Sequence, residues 1–125
     1  MVRDKPLLEA SIETNSIVHK ATLIPTDNAV LALFYEGPMK IGTLAVSTPG
    51  LREGATGTSS VLLGGKYMIA ARALAERVSA TFHKMGIVSL HTQLAEGEAL
   101  RLYSRLLDKA RNSGSTSPAG SASKG

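Results

Sequence analysis

The spacing of hydrophobic positions changes part-way along the chain. Residues 7–13 (Leu-Leu-Glu-Ala-Ser-Ile-Glu) and 17–24 (Ile-Val-His-Lys-Ala-Thr-Leu-Ile) alternate in part between apolar and polar side chains, the two-residue period of a strand. Pro25-Thr26-Asp27-Asn28 follows as a turn, with residue types that suit turn geometry. Residues 29–35, Ala-Val-Leu-Ala-Leu-Phe-Tyr, are almost wholly apolar and predict a strand covered on both faces. Glu36-Gly37-Pro38-Met39 turns the chain, and residues 40–47 give the next strand; these short links predict antiparallel hairpins. After a glycine-rich loop over 48–58, residues 59–63 predict a fifth strand ended by Gly64-Gly65.

From Tyr67 onward the period is helical. Apolar residues at 67, 71, 74, 78, 82 and 85 share one face, and Gly86 is the expected helix stop. Residues 87–92 return to a strand. A second helix is predicted over 95–111, with Ala99, Leu102, Tyr103, Leu106 and Ala110 inward. Glu96 and Glu98 at its start and Lys109 and Arg111 at its end complement the helix dipole. The resulting order is β-β-β-β-β-α-β-α. Strands precede segregated helices, which predicts an α+β fold on a mostly antiparallel sheet.

Composition limits the extent of this fold. Among 125 residues, 43% are apolar, enough for one domain with a core. Residues 112–125 carry no large apolar side chain, so burial there cannot offset the entropy of ordering. We therefore expect a folded domain over 1–111 and a disordered Ser/Gly-rich tail over 112–125. The net charge is +4, but the 14 basic residues are scattered and form no run of three. Clustering, which nucleic-acid binding uses, is missing, so no nucleic-acid partner is expected. With no cysteine, disulfides and thiolate sites are excluded, which suits a reducing compartment. No signal-peptide core and no apolar run of membrane-spanning length occurs; a soluble cytoplasmic protein, nuclear as well, is the expectation.

Candidate chemistry is removed largely by counting. His19, His83 and His91 show no metal-ligand spacing, so no metal is expected. Gly64-Gly65-Lys66 stands between a strand and a helix, where phosphates often bind, but residue 67 is Tyr and the first glycine of a P-loop is missing. A tight turn is the better reading. No Gly-x-Ser-x-Gly elbow occurs, and no carboxylate pair is singled out for acid–base work. Phe82 and Tyr103 fall on apolar helix faces and are expected in the core. The expectation is a non-catalytic binding domain without a cofactor. The loop over 48–58 carries one isolated charged pair, Arg52 and Glu53, the candidate partner-binding residues on a rigid scaffold.

Three stretches resemble the proteasome assembly chaperone 3 family. They are Ala29-Val30-Leu31-Ala32-Leu33-Phe34 through Lys40-Ile41-Gly42-Thr43-Leu44, then Ser60-Val61-Leu62-Leu63-Gly64 before the first helix, and finally Ile87-Val88-Ser89-Leu90 with a helix holding Leu100 and Leu107. The likeness runs over about residues 15 to 107, and Lys-Ile-Gly-Thr-Leu is its most specific piece. It implies a non-enzyme that pairs with a related chaperone, as a heterodimer or a homodimer, and binds proteasome α-subunits while the 20S α-ring assembles. Some proteasome chaperones and activators use a C-terminal hydrophobic-Tyr-x motif; this chain ends Ala-Ser-Lys-Gly, so tail insertion is not expected. Because residues 7–13 and 17–24 alternate imperfectly, both sheet faces carry apolar residues, and one face is the expected dimer interface. The competing readings are a generic trafficking or signalling adaptor and a weak basic nucleic-acid binder.

Overall fold

The computed structural model describes residues 7–50 and 58–115. Its elements are β1 (Leu8–Thr14), β2 (Ile17–Pro25), β3 (Ala29–Glu36), β4 (Thr43–Thr48), β5 (Thr58–Leu63), α1 (Met68–Phe82), β6 (Met85–His91) and α2 (Glu96–Ser115). This is the expected α+β order. The six strands form one sheet in the order β1-β2-β3-β6-β4-β5. Only the β3–β6 pair is parallel.

Local chemistry explains the first hairpins. Asn15 and Ser16 both have positive φ (54° and 66°), the backbone twist that a two-residue loop needs to join right-twisted strands. At the β2–β3 turn, the Thr26 hydroxyl donates to the Ala29 carbonyl at 3.0 Å, and the Thr26 backbone N–H donates to the same oxygen at 2.8 Å.

The expected β3–β4 hairpin does not form. β6 lies between the two strands, pairing Phe34 with Leu90 on one side and Leu90 with Thr43 on the other. The link therefore extends over residues 37–42, and β4 begins at Thr43 rather than at Lys40. Burial explains the insertion. Val88 and Leu90 are fully or almost fully buried, and a central position gives β6 a partner on each side. Gly42 closes the crossing: its N–H donates to Ser89 Oγ at 2.9 Å, and a Cβ there would run into the Leu90 carbonyl oxygen.

The two helices also end differently from expectation. α1 stops at Phe82, and His83 takes the left-handed conformation (φ 57°) with its N–H on the Ser79 carbonyl. Gly86, the expected stop, lies inside β6. A Cβ there would sit 2.9 Å from the Ala75 carbonyl oxygen, so glycine is needed for close helix–sheet packing. α2 runs to Ser115, past the expected boundary at 111; Ser113 Oγ donates to the Ala110 carbonyl at 2.7 Å within the helix.

Both helices pack on one face of the sheet. Ala21, Leu23, Val30, Ala32, Phe34, Ala45, Val88 and Leu90 meet Ala70, Ala71, Leu74, Ala75 and Val78 of α1 and Ala99, Tyr103, Leu106, Leu107 and Ala110 of α2 in one buried cluster. Phe82 packs against this cluster, and Tyr103 is fully buried in it, as the helical period predicts. A buried Ser47–Ser79 hydroxyl pair at 3.0 Å joins β4 to α1.

Candidate functional site

Strands β3 and β6 end side by side, and their last residues build a polar cluster. The Thr92 hydroxyl and the Gln93 N–H both donate to Glu36 Oε1, at 2.6 and 2.9 Å. His19 of β2 lies opposite Glu36 across the ladder, with Nδ1 3.9 Å from the same carboxylate oxygen. That nitrogen is 2.8 Å from the Tyr103 hydroxyl. Burial alone would raise the Glu36 pKa, but the Thr92 and Gln93 hydrogen bonds and the fields of His19 and His91 outweigh it, and the carboxyl falls below its ordinary value. Burial pushes the Tyr103 phenol upward.

This cluster ties the fold together from within. His19 and Tyr103 are almost wholly buried, so no solute reaches the contact between them. His19, within the strand predicted over 17–24, is a core residue. Among the described residues, no group of three His, Asp or Glu side chains is arranged to hold a metal.

Beside it, the Gly64-Gly65-Lys66 turn is pinned from three directions. The Thr43 hydroxyl donates to the Lys66 carbonyl at 2.6 Å, the Tyr67 hydroxyl donates to the Leu94 carbonyl at 2.7 Å, and Glu96 Oε2 accepts the Ala70 N–H at 2.8 Å. Tyr67 is held at φ 60°, a left-handed backbone unusual for a bulky residue. An open hollow of about 580 Å³ lies alongside, lined by Lys66, Tyr67, Met68, Ile69, Leu94 and Glu96 among others. Glu96 stands in the first turn of its own helix, α2, as expected, and its carboxylate also caps the neighbouring helix, α1. Sequence spacing could not show this, because the contact crosses 26 residues.

The largest candidate surface is the sheet face opposite the helices. Strand parity places Ile24, Leu31, Leu33, Tyr35, Leu44, Val46 and Ile87 there. No described helix covers them. Leu33 and Tyr35 are buried, while Ile24, Leu31, Leu44, Val46 and Ile87 remain half-buried. Thus β3 is apolar on both sides, as its sequence indicates, and among the described helices both lie on one side. Arg52 and Glu53, the candidate partner-binding pair, lie outside the described residues.

The fold thus places both helices on one face of the sheet and apolar strand residues on the other. The chain is similar to one in the crystal structure of a chaperone complex for yeast 20S proteasome assembly, with a TM-score of 0.60 at 18% sequence identity, covering 86% of this chain and 95% of that one. No family model and no curated protein matches the sequence.

Proposed function

We propose that this protein is a non-catalytic chaperone of 20S proteasome assembly. It pairs with a related chaperone through its helix-free sheet face, and the pair binds α-subunits while the α-ring forms. The observation that carries this reading is the apolar sheet face that no described helix covers, on a fold shared with a chain of a yeast proteasome-assembly complex.

Magnitudes support a pairing surface. Six strands spaced ~4.8 Å apart, with about seven residues at ~3.3 Å each, give a face of roughly 24 by 23 Å. Its projected area, about 550 Å², approaches the ~800 Å² that each partner contributes to a standard interface. Leu31, Leu33, Tyr35, Val46 and Ile87 lie in its middle strands, and Glu9, Glu13 and Lys20 lie toward the β1 edge, the apolar centre and polar rim of a protein interface.

The test is light scattering after size exclusion, alone and with a related chaperone, beside mass spectrometry of proteins retained by the tagged chain. A two-chain complex and enrichment of α-subunits are expected. Leu31→Lys with Ile87→Lys abolishes pairing while far-UV circular dichroism stays unchanged. A strictly monomeric protein under both conditions, or capture without α-subunits, overturns the reading.

A further inference from the structure

β1 is an outer strand of the sheet, so one side of its backbone has no strand partner among the described residues. Such an edge is a template for another extended chain. Two features make this edge selective. On the helix side, a groove of about 300 Å³ separates β1 from α2, lined by Ile12, Thr14, Leu102, Glu98, Arg101 and Arg105. Arg101 and Arg105 are exposed, stand one turn apart, and have no ion-pair partner among the described residues. On the other side of the strand, Glu9 and Glu13 are exposed, and Glu9, Ser11 and Lys20 border a hollow of about 240 Å³.

We propose that β1 accepts an added strand from a partner protein whose side chains alternate in charge, acidic toward α2 and basic toward the open sheet face. Alternate residues of a strand point to opposite faces, so the two sides of the edge are read independently. The spacing is quantitative. Arg101 and Arg105 are separated by ~6 Å along the helix axis. Two strand residues at i and i+2 are separated by ~6.7 Å. Glu9 and Glu13 are four strand residues apart. The matching segment has acids two apart on one face and bases four apart on the other, as in Lys-Glu-Thr-Glu-Lys.

Neither β1 of a second copy nor residues 116–125 fits this pattern. Antiparallel pairing of two β1 strands centred on Ser11, the register using the whole strand, sets Glu9 against Glu13 of the second copy, and like charges directly opposed are destabilising. Leu8, Ala10, Ile12 and Thr14 offer no acid to the arginines. Residues 116–125 contain no acid at all.

The test uses the full chain labelled with ¹⁵N and the capped peptide Val-Lys-Glu-Thr-Glu-Lys-Val, with Val-Glu-Lys-Thr-Lys-Glu-Val as its charge-swapped control. Saturable shifts of the β1 amides and of the Arg101 and Arg105 side-chain N–H groups are expected at peptide concentrations up to about 1 mM. The control binds at least tenfold more weakly. Arg101→Glu with Arg105→Glu lowers affinity at least tenfold, and Arg101→Gln with Arg105→Gln lowers it less; both change exposed positions, and circular dichroism checks their fold. Equal binding of the two peptides, no shifts, shifts confined to the Leu31–Ile87 face, or unaltered affinity in both double variants overturns the proposal. Proteasome subunits do not enter the assay, so its outcome is separate from that of the chaperone reading.

Discussion

His19 and Tyr103 join the second strand to the last helix across 84 residues, with His19 Nδ1 2.8 Å from the tyrosine hydroxyl. Both side chains are buried, and His19 Nε2 has no hydrogen-bond partner among the described residues. The ring also packs edge-on to Tyr103, with centroids 5.7 Å apart. Tyr103→Phe keeps this packing and removes the hydrogen bond, leaving both ring nitrogens unpartnered. It is expected to lower stability by about 1–3 kcal/mol, the cost of an orphaned buried polar group. In a His19→Leu background the same substitution is expected to cost less. Urea unfolding of the four proteins in this cycle measures the coupling, and additive effects would show that the contact contributes nothing.

Glu36 makes stability depend on pH. Its folded pKa is depressed, because the Thr92 and Gln93 hydrogen bonds and the two histidines outweigh the opposing effect of burial. The unfolded chain therefore takes up the proton first as pH falls. The contribution is complete above the ordinary glutamate value of ~4.3 and is lost as pH falls through the lower folded value. Glu36→Gln retains an acceptor but cannot titrate. Its urea midpoint is expected to fall less steeply than that of the unmodified chain between about pH 5 and pH 3; parallel profiles would refute the assignment.

Glu96 caps a helix other than its own. The first turn of α1 contains no acidic residue, and its N-cap, Tyr67, makes no side-chain capping bond. The Glu96 carboxylate supplies the missing acceptor at Ala70 N–H. Glu96→Ala is expected to cost about 1 kcal/mol, as capping losses do, and to speed hydrogen exchange at Ala70 more than at Val78. Uniform acceleration along α1 would mean that the carboxylate acts through some other contact.

Periodicity carried element type and order because each element buries one face. The two-residue period in β1 and the helical run from Tyr67 to Phe82 both report the common core. Pairing was less legible. Nothing local to residues 37–42 reveals that β6, more than 40 residues later, lies between β3 and β4; that choice depends on burying Val88 and Leu90. His19 was readable as a strand residue but not as Tyr103's partner, since strand parity specifies a face and not what packs on it. The continuous apolar run in β3 was a usable signal of a second apolar face: Leu33 and Tyr35 belong to a face that no described helix covers. The arginine groove beside β1 left no local trace, because Arg101 and Ile12 come to line one groove only in the folded chain.

Gly42 is where that hidden topology can be tested by one methyl group. The link from β3 to β4 passes the end of β6, and the backbone at Gly42 lies against the Leu90 carbonyl. A Cβ would meet main-chain atoms of Leu90 and His91, and neither is the end of a flexible side chain that could swing aside. Gly65, at the β5–α1 turn, has nothing within 4 Å of the position a Cβ would occupy, and its φ lies outside the left-handed region. Gly42→Ala is expected to destabilise by about 1–3 kcal/mol, the range for overpacking a tight contact. Gly65→Ala is expected to stay within about 0.5 kcal/mol of the unmodified chain. Thermal and urea unfolding of the two variants separate the cases. Had β3 and β4 formed a simple hairpin, residue 42 would not press on β6, so a neutral Gly42→Ala would argue against the β3-β6-β4 strand order itself.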